Sequence, residues 1–367
     1  MMFKKTLAAG AMLVTLLAPA LALADNDNNR HDEQSLTLAV FGDWPYNQLL
    51  LESAHRLLDS VNADPEVSLV MHVGDIHSGS MACTGAGLKP LPAGAVPTWN
   101  TTVFNLFEQF RAPVVYTPGD NEWTDCHKKK EFSSGAPLNE LAAVRGLFFA
   151  QPGLTLGGHK KQVVSQAKAA DRKHPADAKY VENVRWQQAG VVFTTINMPG
   201  SNNDGLPWTA PFTDEAARSA EAAERTLAGL RWLDAAFDRA EEEHAVAVVI
   251  GLQADMWDLA ALVPGSDGLS NYSVFVHELA QRSLRFARPV LLINGDSHVF
   301  GADQPLIDPT SPTGRIHNTP KVPNLTRITV QGSTSAPAEW LRLTIQPATP
   351  AVFSWTNVPY CKDPLTS

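Results

Sequence analysis

Ser68-Leu69-Val70-Met71-His72-Val73-Gly74-Asp75-Ile76-His77 is an apolar, β-rich run that breaks at a glycine and then presents a carboxylate and an imidazole. Leu36–Phe41 runs into Gly42-Asp43-Trp44-Pro45, and Pro113–Thr117 into Pro118-Gly119-Asp120-Asn121-Glu122. Ala245–Ile250 leads to Gly251-Leu252-Gln253-Ala254-Asp255, and Pro289–Ile293 to Asn294-Gly295-Asp296-Ser297-His298. A further run, Val191–Ile196, leads to Asn197 and Gly200-Ser201-Asn202-Asn203-Asp204. The runs are near-continuously apolar, as strands covered on both faces are. Amphipathic stretches at Asn47–Val61 and Asp214–Glu243 read as helices, the second with Leu227, Leu230, Leu233, Ala236 and Phe237 on one face. Thr326–Gly332, Leu341–Gln346 and Ala351–Trp355 read as a closing run of antiparallel strands. The class is α/β.

One Gly-Asp pair is ordinary turn chemistry. Four of them, each after a β run, imply a ligand site where strand ends converge. Carboxylates gathered there repel one another unless a cation sits among them, so a divalent metal site is expected.

In order and context these motifs resemble the calcineurin-like metallophosphoesterase superfamily, from about Leu36 to Trp355. The resemblance implies a four-layer α/β/β/α sandwich with two mixed sheets. It also implies two metal ions and hydrolysis of a phosphate ester by a metal-bound hydroxide. Carried over residue by residue, Asp43 matches the first-motif Asp, with Pro45 at the place of the His. Asp75 matches the bridging Asp, and either Asp120 or Asn121 the third-motif ligand. Gln253 stands at the fourth-motif His, Asp296 at the first His of the fifth motif and His298 at its second. His77, two residues past Asp75, is a candidate for the imidazole lost at Pro45. The expected metal set is therefore Asp43, Asp75, His77, Asp120, Asn121, Gln253, Asp296 and His298. Asn121, His298 and His77 are the candidate catalytic residues, with His127 a further proton donor to consider. Oxygen donors replace several histidines, which favours Mn, Fe, Mg or Ca over Zn. Trp44 reads as a wall of the site or as core, and Glu122 as a residue that orients a ligand. The altered motifs also define an alternative, a non-catalytic secreted binding protein on a degenerate phosphoesterase scaffold.

Other chemistries lack their signatures. No G-x-S-x-G elbow surrounds Ser297, and no P-loop or dinucleotide fingerprint is present. The chain has 367 residues, 44% hydrophobic and 18% charged, with a formal net charge of −9. This is globular composition, and it argues against a broad basic surface for nucleic acid. The expected partner is a small phosphorylated substrate.

Lys4 and Lys5, an apolar run from Leu7 to Leu23, and Ala22-Leu23-Ala24 read as a signal peptide over 1–24. The expectation is export, to a periplasm or the extracellular space, with no transmembrane segment. Residues 25–367 then form a single domain. Export permits a disulfide, and of the three pairings among Cys83, Cys126 and Cys361 the first two are favoured, since each follows a strand end on one face. Residues 157–185 are rich in Lys and Arg and read as a solvated insertion or as a basic lid, with Lys160 a candidate phosphate clamp.

Overall fold

The computed structural model describes residues 35–83 and 99–364. The signal segment expected over 1–24 and the Gly- and Pro-rich residues 84–98 lie outside the described residues.

Among the described residues, twelve strands form two mixed sheets. The first holds β1 (Leu36–Phe41), β2 (Val67–His72), β3 (Val114–Tyr116), β11 (Ala338–Gln346) and β12 (Val352–Cys361), in the order β12-β11-β1-β2-β3. The second holds β4 (Val164–Ser165), β5 (Val184–Gln188), β6 (Val191–Thr195), β7 (Ala247–Gly251), β8 (Val290–Asn294), β9 (Gly301–Asp303) and β10 (Leu325–Thr329), in the order β4-β5-β6-β7-β8-β10-β9. β1, β2 and β3 run parallel, as do β6, β7, β8 and β10, and the remaining pairings are antiparallel.

The alternation of side chains along each strand explains the layering. Leu36, Leu38 and Val40 of β1 face Phe193, Val249, Leu291 and Ile293 across the gap between the sheets. Ala39 and Phe41 point the other way, into a core shared with the helices His55–Ala63, Trp99–Phe107 and Pro137–Phe148. Val192, Val248, Ile250, Val290 and Leu292 point out of the second sheet, against the helices Glu215–Glu242 and Ser273–Phe286. The central strands β1, β6, β7 and β8 are buried on both faces, so they read as unbroken apolar runs. The result is helix, sheet, sheet, helix.

Three sequence expectations need correction. The stretch 47–61 is two helices, Gln48–Glu52 and His55–Ala63, because the Ser53 hydroxyl donates to Leu49 O and closes the first one. Thr326–Gly332 does not belong to the closing antiparallel run. As β10 it lies parallel to β8 in the other sheet, where Ile328 fills the inter-sheet core. Leu227 is 53% exposed, and the buried stripe of its helix runs instead through Trp232, Leu233, Ala236, Phe237 and Ala240.

Cys83 and Cys126 form a disulfide, while Cys361 closes β12. The basic stretch 157–185 lies at the β4–β5 edge. Lys160 pairs with Glu108, Lys179 with Glu224 and Lys161 with Gln188, and Arg185 lies over Trp232. These cations serve the sheet edge and are not gathered over a site. Among the described residues no helix is long and apolar enough to cross a membrane.

Phe193 is fully buried between the sheets and stacked on Trp186 at 5.0 Å. Phe193→Ala is expected to lower unfolding free energy by about 3–5 kcal/mol, read as a fall in the urea midpoint at unchanged slope.

Candidate metal centre

The parallel strands of both sheets end at one edge. There β1 delivers Asp43, β2 Asp75, β3 Asp120 and Asn121, β7 Gln253, and β8 Asp296 and His298. Backbone pairing continues past the strands. Asp43 N–H donates to Gly74 O, Trp44 N–H to Asp75 O and Gly295 N–H to Gln253 O. Asp43, Asp75, Asp296 and His298 then adopt left-handed backbone, with φ of 51°, 60°, 75° and 62°. Each such residue costs about 1–2 kcal/mol relative to right-handed backbone, although Asp tolerates it best. The turn swings each side chain back over the strand ends. Gly119 is required for close approach, since a Cβ there would lie 1.9 Å from Asp75 Oδ1.

His72 and Glu122 hold these loops in place. Gly74 N–H donates to His72 Nδ1 at 3.2 Å, so Nε2 carries the proton and donates to Trp44 O at 2.8 Å. This tautomer is neutral, and burial pushes its pKa down to about 4. Glu122 accepts from Ile76 N and Gly119 N, both at 3.1 Å, and from the Tyr116 hydroxyl at 2.7 Å.

At the centre sits a residue that the sequence reading did not select. The Tyr46 hydroxyl lies 2.9 Å from Asp43 Oδ1, 2.8 Å from Asp75 Oδ2, 2.9 Å from His298 Nε2 and 3.3 Å from Asn121 Nδ2. Its spacing, three residues after Asp43, was the available signal. Asp43, Asp75 and His298 bring ligand atoms within 4.8 Å of one another. Asp43 Oδ2 is buried and has no hydrogen-bond partner. Burial keeps the Tyr46 phenol protonated and it donates to these carboxylates, so the donor set that fits one divalent cation is two carboxylates and an imidazole.

The other expected residues fall into place less evenly. Asp120 accepts from Ser201 Oγ at 2.8 Å and from Gln253 Nε2 at 3.0 Å. Asp296 accepts from Asp255 N at 3.0 Å, and Gly200 is wedged between Asp120 and Asp296. Asn121 Nδ2 donates to Asp75 Oδ2 and to His77 O, both at 3.0 Å. His77 therefore reaches the cluster through its backbone carbonyl. Its ring turns to Ser78 O and is not in the group that Asp43, Asp75 and His298 form, so it does not take the place of the imidazole missing at Pro45; burial lowers its pKa to about 4 and keeps it neutral. His127 faces Thr209, and Asn197 binds Glu182, both outside the cluster. Trp44 is core, edge-on to Phe41.

Electrostatics favour a cation here. Burial first, and then Asp120, Glu122, Asp43 and Asp296, hold the Asp75 carboxyl well above its usual range. Burial and then Asp120 do the same to Asp296. Burial opposes charge on His298, but Asp43 at 3.3 Å outweighs it and raises the imidazole pKa. A cleft of about 370 Å³ opens onto Asp120 and Asp296, bordered by Lys130, Ser201, Asp255 and Tyr272.

Residues 36–211 match the family model of the calcineurin-like phosphoesterases. No curated protein matches the chain. Among solved structures, GAP50, the anchor in the inner membrane complex of Plasmodium, is similar over 90% of each chain, at 11% identity and a TM-score of 0.43.

The neutral His72 makes stability depend on acid. The unfolded ring takes a proton below its ordinary 6.5, whereas the folded ring does so only near 4. The contribution is complete above pH 6.5 and is lost as pH falls towards 4, by about 3 kcal/mol at most. His72→Gln is expected to flatten the fall of the urea midpoint across that window.

Proposed function

We propose, from the premise that this chain carries a calcineurin-like phosphoesterase domain over residues 36–211, that it hydrolyses a small phosphate ester with a divalent cation held at the edge of its two sheets. The observation that carries this reading is the convergence of Asp43, Asp75 and His298, with Asp43 Oδ2 buried and unpartnered. Those three residues would hold the cation. When bound, it supplies Lewis acidity to the phosphoryl oxygens and lowers the pKa of a water.

The chain's own groups do the rest. Asp120 and Asp296 face the cleft from which an ester approaches. Lys130 borders the same cleft, about half exposed and paired with Asp125 at 3.0 Å, and it takes the phosphate-clamping role first considered for Lys160. His298 is the partly exposed imidazole of the cluster, with Nε2 on Tyr46 and Asp43. As a ligand through that nitrogen it cannot also carry the proton for the leaving oxygen, a role in which His77 and His127 have no geometric support either. Export to a periplasm or the extracellular space belongs to this reading, supported by residues 1–24 and by the Cys83–Cys126 disulfide.

One observation favours the alternative of a non-catalytic binding scaffold. The Tyr46 hydroxyl and the Asn121 amide already satisfy much of the hydrogen-bonding capacity of Asp43 and Asp75. The two readings separate in one assay. The purified chain, stripped with chelator and reloaded with Mn, Fe, Mg or Ca, is expected to hydrolyse aryl phosphate mono- or diesters. Asp75→Asn is expected to lower that rate at least about 100-fold while keeping the fold by circular dichroism. Turnover that is absent under every loading, or insensitive to Asp75→Asn, refutes the enzyme reading.

A further inference from the structure

The two side-chain amides at this centre are locked in orientation by partners that cannot reverse. Gln253 is fully buried. The Gly200 N–H, a donor only, donates to its Oε1. Its Nε2 protons therefore point at Asp75 Oδ2, 3.3 Å away, and Asp120 Oδ1, 3.0 Å away. Turning the amide over would set Nε2–H against Gly200 N–H. Asn121 is held in the same sense, because the His77 carbonyl, an acceptor only, takes its Nδ2–H at 3.0 Å. The other contacts of that nitrogen are Asp75 Oδ2 and the Tyr46 hydroxyl. Both amides thus present protons to Asp75 Oδ2, where each was expected to offer an oxygen to a cation.

Carboxylate positions agree. Among the described residues, the one group of three carboxylate or imidazole atoms within 4.8 Å of one another at this edge is that of Asp43, Asp75 and His298. Asp120 is instead taken up by Ser201 and Gln253, and Asp296 accepts from the backbone of Asp255.

We infer that the centre is mononuclear: it holds one cation at Asp43, Asp75 and His298, and the amide protons of Gln253 and Asn121 fill the second position. Asp75, the expected bridge between two ions, here bridges one ion and two amide N–H donors. An N–H donor supplies part of the positive potential of a second ion without its charge, so Asp75 is stabilised while the site loses a Lewis acid. The inference rests on the reading above only in taking the centre to bind a cation.

The test is metal stoichiometry. The purified full chain, stripped and then equilibrated with Mn(II) alone, is analysed by equilibrium dialysis with elemental analysis and by electron paramagnetic resonance. One Mn per chain with an uncoupled signal is expected. Gln253→Glu keeps the acceptor for Gly200 N–H and replaces the Nε2 protons with a third carboxylate oxygen facing Asp75 and Asp120. This variant is expected to bind two Mn, with an exchange-coupled signal. Gln253→Leu, as a control for packing, is expected to remain at one. Two ions in the wild type, or one in both wild type and Gln253→Glu, overturns the inference and leaves ester hydrolysis standing. No ion in the wild type overturns both.

Discussion

Gathering carboxylates in a dry place is the constraint from which the rest of the structure follows. Asp43, Asp75, Asp120 and Glu122 are buried at one edge of the molecule with Asp296 half-buried beside them, within mutual electrostatic reach. Buried charge of one sign is expensive unless it is compensated. Each acid has a different form of compensation. Glu122 has two backbone N–H groups and a phenol, and Asp120 has a serine hydroxyl and an amide. Asp43 keeps one bare oxygen. That inequality marks the Asp43 side of the cluster as the candidate cation site.

The two sheets make the gathering possible. Asp43, Asp75 and Asp120 belong to one sheet, and Gln253, Asp296 and His298 to the other. Packing Phe193, Val249 and Leu291 against Leu38 and Val40 fixes the sheets face to face. The strand ends then meet along one rim, and the left-handed turns at Asp43, Asp75, Asp296 and His298 face each other across it. Core burial thus offsets the backbone strain and charge repulsion stored at the rim. His72 couples the two regions, since its ring closes β2 while its Nε2 holds the Asp43 loop.

Replacing histidines by amides changes more than ligand hardness. An imidazole offers a lone pair to a metal, whereas an amide offers either an oxygen or two protons, and its neighbours choose which. At Gln253 the choice is made by Gly200, more than fifty residues away in sequence, and at Asn121 by the His77 carbonyl. Position alone made both residues candidate oxygen ligands. Their neighbours make both of them donors.

Much of the fold and the outline of the site were legible in the sequence, because both follow from local rules. Apolar runs that end in Gly-Asp mark buried strands and the turns that terminate them, and Asp43, Asp75, Asp120, Asp296, His298 and Gln253 do meet at one edge. The disulfide pairing followed from the same strand ends. What the tertiary structure alone decided is how each polar group is spent. Tyr46 at the centre, the His77 ring turned away, the basic stretch 157–185 tied to Glu108 and Glu224, and the sense of both amides depend on partners distant in sequence. Hydrogen bonds are directional and short-ranged, and a charge pairs with whichever groups the fold brings near it. Hydrophobic periodicity can therefore place a side chain at an edge without showing what it will face there.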